Sequence, residues 1–152
     1  MRFYMLDRII EWKPGESARG IKNVSMSEDY FVDHFPRYPV MPGVLIIEAM
    51  AQLSGLLLQA TVARDYNKRI KALLTMLQKV KFRNISKPGD TLLLDTKILS
   101  IHEDSGRVQA MASTNEKNIA DAEMTFVWYP LNDPELELKE KQLLDFLLED
   151  IK

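Results

Sequence analysis

Proline spacing divides the middle of this chain into two parts that fold differently. Pro36, Pro39 and Pro42 stand three residues apart. Each proline fixes its own φ and drives the residue before it toward extended backbone, so this stretch forms a loop. Proline also suits the first turn of a helix, where its missing N–H costs nothing. The sequence therefore predicts a rigid loop followed by a long helix that begins at Pro42-Gly43 and runs to about Ala63.

The predicted helix is apolar on nearly every side and carries one thin polar stripe. Glu48, Gln52 and Gln59 fall on one helical face, and Gly55 leaves room beside them because it has no side chain. A helix that is hydrophobic all round is buried or spans a membrane. The glutamate and the two glutamines, with no tight basic cluster at either end, favour burial. A carboxylate in such a helix needs a partner or has a function.

His34 supplies a second chemical group, in the loop before the helix. The helix start follows it, where the N–H groups of Gly43 and Val44 suit a negative charge that develops on an oxygen. A histidine, a carboxylate such as Glu48 and an anion-binding helix end can together abstract a proton next to a carbonyl group. His34 and Glu48 meet either within one subunit or across a dimer interface. The simpler interpretations are a structural loop histidine and a glutamate that pairs with an arginine at a subunit contact.

The amino-acid composition excludes several classes of function and of site. A length of 152 residues suits one domain, and a net charge of −2 gives no overall basic field for nucleic acid. The absence of cysteine excludes disulfides and thiolate catalysis, and two histidines are too few to indicate a metal cluster. The N-terminal sequence MRFYMLDRIIEW lacks the long apolar stretch of a signal peptide, so we expect a cytoplasmic location.

Strand-forming segments surround the predicted helix. Residues 3–12 and 17–26 flank the turn at Pro14-Gly15 and predict a hairpin. Further strand-like segments lie at residues 70–83, 91–102, 108–113 and 119–129. Five or six strands with one long apolar helix predict an α+β architecture in which an antiparallel sheet wraps round that helix. A single curled sheet leaves an edge strand, which favours pairing with a second copy.

The segment VDHFPRYPVMPGVLIIEAMAQLSG resembles the signature of the FabZ-type 3-hydroxyacyl-[acyl-carrier-protein] dehydratases, in which HFPGxPxxPGVLxxEAMAQ carries the active site. The similarity extends to RFYMLDRIIEW, KNVSMSEDYF and KVKFRNISKPGD, and so covers most of residues 2–129. The resemblance implies the hotdog fold, with the sheet wrapped round one long central helix. It also implies a double-hotdog homodimer, or a hexamer built from three dimers.

The resemblance assigns roles to five residues. His34 matches the catalytic histidine and Glu48 the catalytic carboxylate, while Gly43 and Val44 match the positions whose N–H groups hold the thioester carbonyl. Gln52 matches a supporting glutamine one turn after the carboxylate. The implied reaction is dehydration of (3R)-3-hydroxyacyl-[acyl-carrier-protein] to trans-2-enoyl-[acyl-carrier-protein] in fatty acid biosynthesis. This is a hydro-lyase reaction that needs no cofactor, because the substrate is carried on the phosphopantetheine of acyl carrier protein.

Two positions depart from the family pattern. Asp33 precedes the histidine where the family commonly has glycine, and Arg37, followed by Tyr38, replaces the glycine after HFP. These changes leave the acyl chain length and the pathway open. They concern the substrate preference more than the reaction class.

A second set of cations lies in the strand-like segment at residues 70–83. Lys79, Lys81 and Arg83 alternate with apolar residues that include Phe82, and a period of two places the cations on one face and the apolar residues on the other. The cations form either a solvated strand face or, with Arg37, a docking surface for the acidic acyl carrier protein.

The C-terminal tail differs from the rest of the chain. We expect residues 1–129 to form the hotdog dehydratase domain and residues 130–152 a helical extension. Asp133 can cap a helix and Pro134 can open it. From Glu135 to Lys152 the apolar residues form one helical stripe, consisting of Leu136, Leu143, Leu144, Leu147, Leu148 and Ile151. Such a helix packs on its own domain or forms an oligomer contact.

Two other functions are compatible with the same fold. A hotdog acyl thioesterase would use Glu48 to activate water and would release free thiol from acyl thioesters that lack a 3-hydroxyl. A non-catalytic acyl-binding or scaffold protein would keep the fold without the chemistry. Asp33 and Arg37 lend slight support to the scaffold, whereas the retention of His34 and Glu48 in register argues against it.

Overall fold

The computed structural model describes residues 3–151, and within that range the chain forms one sheet of six antiparallel strands and two α-helices. In chain order the elements are β1 (Arg8–Lys13), β2 (Ser17–Asn23), a short 3-10 helix (Asp29–Val32), α1 (Gly43–Tyr66), β3 (Ile70–Phe82), β4 (Thr91–Ile101), β5 (Ser105–Thr114), β6 (Lys117–Pro130) and α2 (Pro134–Leu147). The order of the strands in the sheet is β1-β2-β4-β5-β6-β3. The predicted α+β architecture is confirmed.

Hydrogen bonds hold the turn of the β1–β2 hairpin against the C-terminal half of α1. Its turn lies at Pro14-Gly15, as the sequence predicts, and Gly15 has a φ of 87°, which L-residues rarely adopt. The Gly15 N–H donates to Oγ1 of Thr61 (2.8 Å), and Arg64 donates to the carbonyl oxygen of Pro14 (2.6 Å). The first strand begins at Arg8 and not at Phe3, and the segment before it approaches α1, where Phe3 and Met5 bond to Gln52.

Helix α1 forms the centre of the core. It begins at Gly43, as predicted, and ends at Tyr66, three residues later than the expected Ala63, because Asn67 adopts a left-handed φ of 51° that stops the helix. Half of its 24 residues are buried. Among the described residues, it is the one helix that is long and apolar enough to cross a membrane, by length and composition alone. Here the sheet covers it, which agrees with the prediction of burial.

Strand β3 lies at the edge of the sheet and has a large apolar exposure. Leu73, Leu74, Met76 and Leu77 expose between 37% and 47% of their surface, so both faces of the strand are partly open. The pairing with β6 slips between Leu74 and Met76, and again between Gln78 and Lys81. A long apolar edge of this kind is a surface that favours pairing with another chain.

The end of β3 is irregular. The three cations there are exposed, and Lys79 has a φ of 52° inside the second slip, so strict period-two geometry is lost at that point. Phe82 pairs with the buried Ala120 and so lies on the helix side of the sheet, although it is 54% exposed. Its ring lies beside Gly43 at the start of α1.

Helix α2 packs on its own domain. Asp133 caps it by accepting from the N–H groups of Glu135 and Leu136, and Pro134 opens it, as predicted. Leu147 is buried, and three more leucines of the predicted stripe, Leu143, Leu144 and Leu148, pack against the core. The predicted length is too great, because the helix ends at Leu147 and not at Lys152, and Lys152 lies outside the described residues. Leu136 and Ile151, at the two ends of the stripe, are exposed.

Candidate active site

His34 is held in a fixed orientation by the loop that leads into α1. Its N–H donates to the carbonyl oxygen of Tyr30 (3.0 Å) at the 3-10 helix, and its carbonyl oxygen accepts from the N–H of Val40 (2.9 Å). The Nδ1 atom lies 2.7 Å from the carbonyl oxygen of Val40. The ring stacks on Phe35, with the ring centres 4.1 Å apart. Backbone, ring nitrogen and ring face are thus all positioned by neighbouring residues.

The Val40 contact determines which ring nitrogen of His34 can act as a base. A carbonyl oxygen only accepts hydrogen bonds, so Nδ1 carries the proton in this contact. In the neutral imidazole, Nε2 then has the free lone pair. The loop therefore presents a histidine whose second nitrogen is ready to accept a proton.

Glu48 is held by Gln52, one helical turn later on α1. The Gln52 Nε2 group donates to Oε1 of Glu48 (3.0 Å) and to the carbonyl oxygen of Phe3 (2.7 Å), and its Oε1 atom accepts from the N–H of Met5 (2.9 Å). The two N–H donors and the oxygen of the amide each have a partner, which fixes the orientation of the amide. The carboxyl group of Glu48 is therefore positioned by a glutamine that is itself fastened to the N-terminal segment.

The start of α1 leaves two backbone donors without a partner inside the helix. The carbonyl oxygen of Pro42 accepts from the N–H groups of Leu45 (3.0 Å) and Ile46 (3.2 Å). The N–H groups of Gly43 and Val44, nearest the helix end, have no acceptor in the preceding turn. Val44 is strongly exposed. These N–H groups and the positive end of the helix dipole can bind an oxygen that gains negative charge.

A cavity of about 370 Å³ begins at Glu48 and extends along the polar stripe of α1. Gly55 opens this space, because a Cβ atom built there would have no neighbour within 4 Å. The predicted room beside Gly55 is therefore present. The lining consists of Phe3, Tyr4, Leu6, Glu48, Ala51, Gln52, Gly55, Leu56, Gln59, Lys71, Ala72, Leu73, Leu74, Phe126, Leu143 and Leu147.

His34 and Glu48 keep separate environments within one protomer. The cavity that Glu48 lines does not include His34. Within residues 3–151, the hydrogen bonds of His34 go to Tyr30 and Val40, whereas Glu48 bonds to Gln52. The structure thus brings Glu48, Gln52 and Gly55 together in one cavity wall, which His34 does not join.

Some residues of this site were not predicted. Phe3 and Met5 contribute backbone groups, and Leu143 and Leu147 of α2 line the cavity. Backbone contacts leave no trace in the amino-acid pattern. The leucines were recognised only as members of an amphipathic stripe, which does not say what the stripe covers.

The residues that depart from the family pattern lie on an exposed turn. Phe35 and Tyr38 exchange two backbone hydrogen bonds of 2.9 and 2.8 Å, and Arg37 between them has a φ of 66°. Asp33, Arg37 and Tyr38 are all exposed. They shape the surface next to His34.

Two of the cations near the end of β3 pair with carboxylates of β6. Lys79 lies 3.8 Å from Glu123, and Arg83 donates to Asp121 at 2.6 Å. The hydrogen bond from Arg83 lowers the pKa of the Asp121 carboxyl. Arg37 and Lys81 have no ion-pair partner within 4 Å among residues 3–151. Of the four candidate docking cations, Arg37 and Lys81 are therefore more available to an acidic partner than the other two.

Comparisons with known protein families and curated sequences give one consistent result. The family model of the FabA-like domain matches residues 1–124. A protein from Caldicellulosiruptor bescii named 3-hydroxyacyl-[acyl-carrier-protein] dehydratase FabZ is 39% identical over 124 residues, which cover 82% of this chain and 86% of the relative. A relative of the same name from Desulforamulus reducens is 43% identical over 124 residues, with 82% and 85% covered.

Solved structures show the same fold. The dehydratase heterocomplex ApeI:P from Xenorhabdus doucetiae matches with a TM-score of 0.68 at 18% identity, over 94% of this chain and 90% of that one. The smu.793 protein from Streptococcus mutans, bound to acetyl CoA, matches with a TM-score of 0.66 at 16% identity, over 88% and 96% of the two chains. These two similarities support the hotdog architecture.

Proposed function

This chain belongs to the FabA-like family, and because it is a 3-hydroxyacyl-[acyl-carrier-protein] dehydratase of the FabZ type, we propose that His34 and Glu48 are its catalytic residues. The enzyme removes water from a 3-hydroxyacyl chain on acyl carrier protein in fatty acid biosynthesis. No cofactor takes part, because the substrate itself supplies the activated thioester. One observation carries the assignment. The carboxyl group of Glu48 lines a largely apolar cavity and is held there by a hydrogen bond from Gln52.

His34 acts as the general base. Its Nδ1–H is occupied by the carbonyl oxygen of Val40, so the Nε2 lone pair accepts the proton from C2 of the substrate. The electrons of the C2–H bond move toward the thioester carbonyl. A positioned base of this kind typically contributes about 10²- to 10⁴-fold to the rate.

The start of α1 stabilises the charge that develops on the thioester oxygen. The N–H groups of Gly43 and Val44 donate to that oxygen, at the positive end of the helix dipole. The enolate-like charge then collapses to form the C2–C3 double bond as the C3–O bond breaks. The ring of Phe82 lies beside Gly43 and limits how closely other groups can approach the backbone of Gly43.

Glu48 assists the departure of the hydroxyl group. Its carboxyl group, directly or through a water molecule, gives a proton to the 3-hydroxyl, which leaves as water. Gln52 holds the carboxyl group in place during this step. The product is the trans-2-enoyl thioester.

We propose that each active site combines His34 of one subunit with Glu48 of another. Their separate environments in one protomer support this arrangement. The apolar edge strand β3, with Leu73 to Leu77 partly exposed, supplies a surface for a two-fold homodimer. Three such dimers would form the hexamer that the family resemblance implies.

Acyl carrier protein, the carrier of the substrate, must dock beside this site. We propose that Arg37 and Lys81 provide the main cations, since neither has an ion-pair partner within 4 Å among the described residues. Lys79 and Arg83, which pair with carboxylates of β6, make a smaller contribution. Charge complementarity of this kind acts mainly on the rate of association.

We place the enzyme in the cytoplasm, where the burial of α1 in the core suits an aqueous environment. The division into a dehydratase domain of residues 1–129 and a C-terminal extension of residues 130–152 is likewise a proposal. It is supported by the family match, which ends at residue 124.

A test of the catalytic assignment measures hydration of a trans-2-enoyl thioester on acyl carrier protein, together with the release of free thiol. His34→Ala and Glu48→Gln should each lower turnover by about 10²- to 10⁴-fold with no change in the thermal unfolding midpoint. His102→Ala and Glu103→Gln, at two exposed neighbours in the turn after β4, are matched controls that should retain full activity. Wild-type activity in both site variants would refute the assignment. Release of thiol from chains without a 3-hydroxyl would favour the thioesterase.

A further inference from the structure

Helix α2 is the part of this chain that lies outside the family match. The family model ends at residue 124, and α2 begins at Pro134. Two of its side chains, Leu143 and Leu147, nevertheless line the cavity that begins at Glu48. The wall of the cavity therefore contains a segment that is not part of the shared domain.

Two ion pairs and a buried leucine hold α2 beside the start of β3. Lys71 at the start of β3 donates to Glu140, and Arg69 lies 3.1 Å from Glu137. Leu147 is only 3% exposed, so the end of the helix is part of the core. A wall held by a capped helix start, ion pairs and a buried leucine can resist displacement by a ligand.

The cavity offers an apolar surface to its occupant. The oxygen of Gln59 accepts from the N–H of Ala72 (3.0 Å), Lys71 pairs with Glu140, and the Gln52 amide is fully used. Apart from Glu48 and the Nε2 group of Gln59, the remaining side chains of the lining are mostly aliphatic and aromatic. Such a space suits a hydrocarbon chain without polar groups.

The α2 wall lies beside the half of α1 that is distant from Glu48. Leu56, Gln59 and Ala63 of α1 border one groove together with Glu140 and Leu144 of α2. Leu56 is eight residues after Glu48, which corresponds to about 12 Å along a helix axis. The part of α2 that contains Leu144, next to Leu143 in the chain, therefore lies beside the half of α1 that follows Leu56.

We propose that α2 sets the acyl chain length of the substrate, with Leu143 as the principal specificity-determining residue. The thioester end of the substrate lies at Glu48, and the terminal carbons of its acyl chain contact Leu143. This inference rests on the proposed function, because it takes Glu48 as the reacting end. The distance between Glu48 and Leu143 then sets the longest acyl chain that the enzyme accepts.

The test compares Leu143→Ala and Leu143→Phe with the wild-type enzyme. The first measurement is kcat/KM for dehydration of 3-hydroxyacyl chains of graded length on acyl carrier protein. Because a hydrophobic pocket discriminates by about 10- to 200-fold per methylene, Leu143→Ala should raise the long-to-short ratio of kcat/KM by about tenfold or more. Leu143→Phe should lower that ratio. Leu143→Val provides a smaller cavity change if the alanine variant does not fold.

A second measurement separates this inference from the catalytic assignment. Binding of saturated acyl chains of graded length, carried on acyl carrier protein, needs no chemistry. If the length dependence of binding shifts with Leu143 while His34→Ala and Glu48→Gln both keep wild-type turnover, the role of α2 holds and the catalytic assignment fails. If the enzyme is active and neither variant moves the ratio or the binding preference, the inference is overturned.

Leu138 supplies the matched control. It lies on the same helix, is 54% exposed and does not line the cavity. Leu138→Ala and Leu138→Phe should leave the chain-length preference unchanged. An equal shift in the Leu138 variants would mean that α2 acts through overall stability, and would also overturn the inference.

Discussion

The side-chain amide of Gln52 joins Glu48 to the N-terminal segment of the same chain. It donates to Oε1 of Glu48 at 3.0 Å, one turn earlier on α1, and holds the backbone of Phe3 and Met5 through its other hydrogen bonds. The orientation of the proposed acid thus depends on residues that precede the first strand. The sequence predicted a supporting role for Gln52 beside Glu48, but not its contacts with Phe3 and Met5.

Replacement of Gln52 by alanine should lower kcat more than it raises KM. Glu48 would keep its place on the helix but lose its orienting donor, and a displacement of about 1 Å can cost about 10²-fold in rate. Steady-state kinetics on a 3-hydroxyacyl-[acyl-carrier-protein] substrate would measure the two constants separately. Thermal unfolding would show how much stability the loss of the contacts to Phe3 and Met5 costs.

Gln142, an exposed glutamine on α2, is the control for this change. Gln142→Ala removes the same side chain at a site with no contact to Glu48 and should leave both kinetic constants unchanged. A Gln52→Ala enzyme with wild-type kcat would show that Glu48 is oriented by other groups.

A charge placed on the edge strand should disrupt the proposed dimer. Leu77 on β3 is 41% exposed, and Leu77→Lys would put an ammonium group into an apolar interface, where an unpaired charge is costly. The expected result is a shift from dimer to monomer in sedimentation velocity. Activity should fall with it, because the proposed site needs groups from two subunits.

Leu138→Lys is the matched change at a leucine of similar exposure on α2. It adds the same charge outside the edge strand and should leave the sedimentation coefficient unchanged. If the Leu77→Lys protein still sediments as the wild type does, β3 is not the dimer contact.

Local signals explain what the sequence predicted correctly. The start of α1 at Gly43, the turn at Pro14-Gly15 and the cap at Asp133 all follow from proline and glycine geometry or from a side chain that bonds its own backbone. The polar stripe of α1 and the space at Gly55 follow from helical periodicity. These features depend on neighbours within a few residues, so a single sequence contains them.

Long-range packing explains what the sequence missed. The bulge at Lys79 arises from the pairing of β3 with β6, and it interrupts the period-two pattern before Phe82. The approach of Phe3 to Gln52 likewise depends on a contact between distant segments. Periodicity showed that Leu143 belongs to an apolar stripe, but only the fold places it in the cavity.

The Tyr30 side chain should make stability depend on alkaline pH. Its hydroxyl is buried without a hydrogen-bond partner among residues 3–151, and burial, with a smaller effect of Glu28, raises its pKa to about 12. An unfolded tyrosine ionises near a pKa of about 10. Between these values the native state binds more protons than the unfolded state, so stability falls as the pH rises from about 10 to about 12.

Tyr30→Phe should remove this part of the alkaline destabilisation and should be neutral or stabilising near pH 7, because it deletes an unpaired buried hydroxyl. Urea unfolding at about pH 9 and about pH 11 measures the difference. Tyr129→Phe, at an exposed tyrosine, is the control and should follow the wild-type curve. Identical alkaline curves for wild type and Tyr30→Phe would mean that the hydroxyl ionises as an exposed one does.

A site shared between subunits predicts complementation between two inactive variants. When His34→Ala and Glu48→Gln proteins are mixed and allowed to exchange subunits, each heterodimer has one site with the intact His34 and the intact Glu48. Random exchange gives heterodimers in about half of the dimers, each with one of two sites restored, so activity should reach about one quarter of the wild-type value. The measurement is the enoyl hydration rate as a function of the mixing ratio.

The shape of that curve distinguishes the two arrangements of the site. If His34 and Glu48 act within one protomer, every subunit in the mixture lacks one of the two groups, and the mixture stays as inactive as its components. Subunit exchange must be verified independently, for example by native mass spectrometry of differently tagged variants. Recovery with a maximum at equal proportions requires that the histidine of one subunit and the glutamate of its partner act on the same substrate.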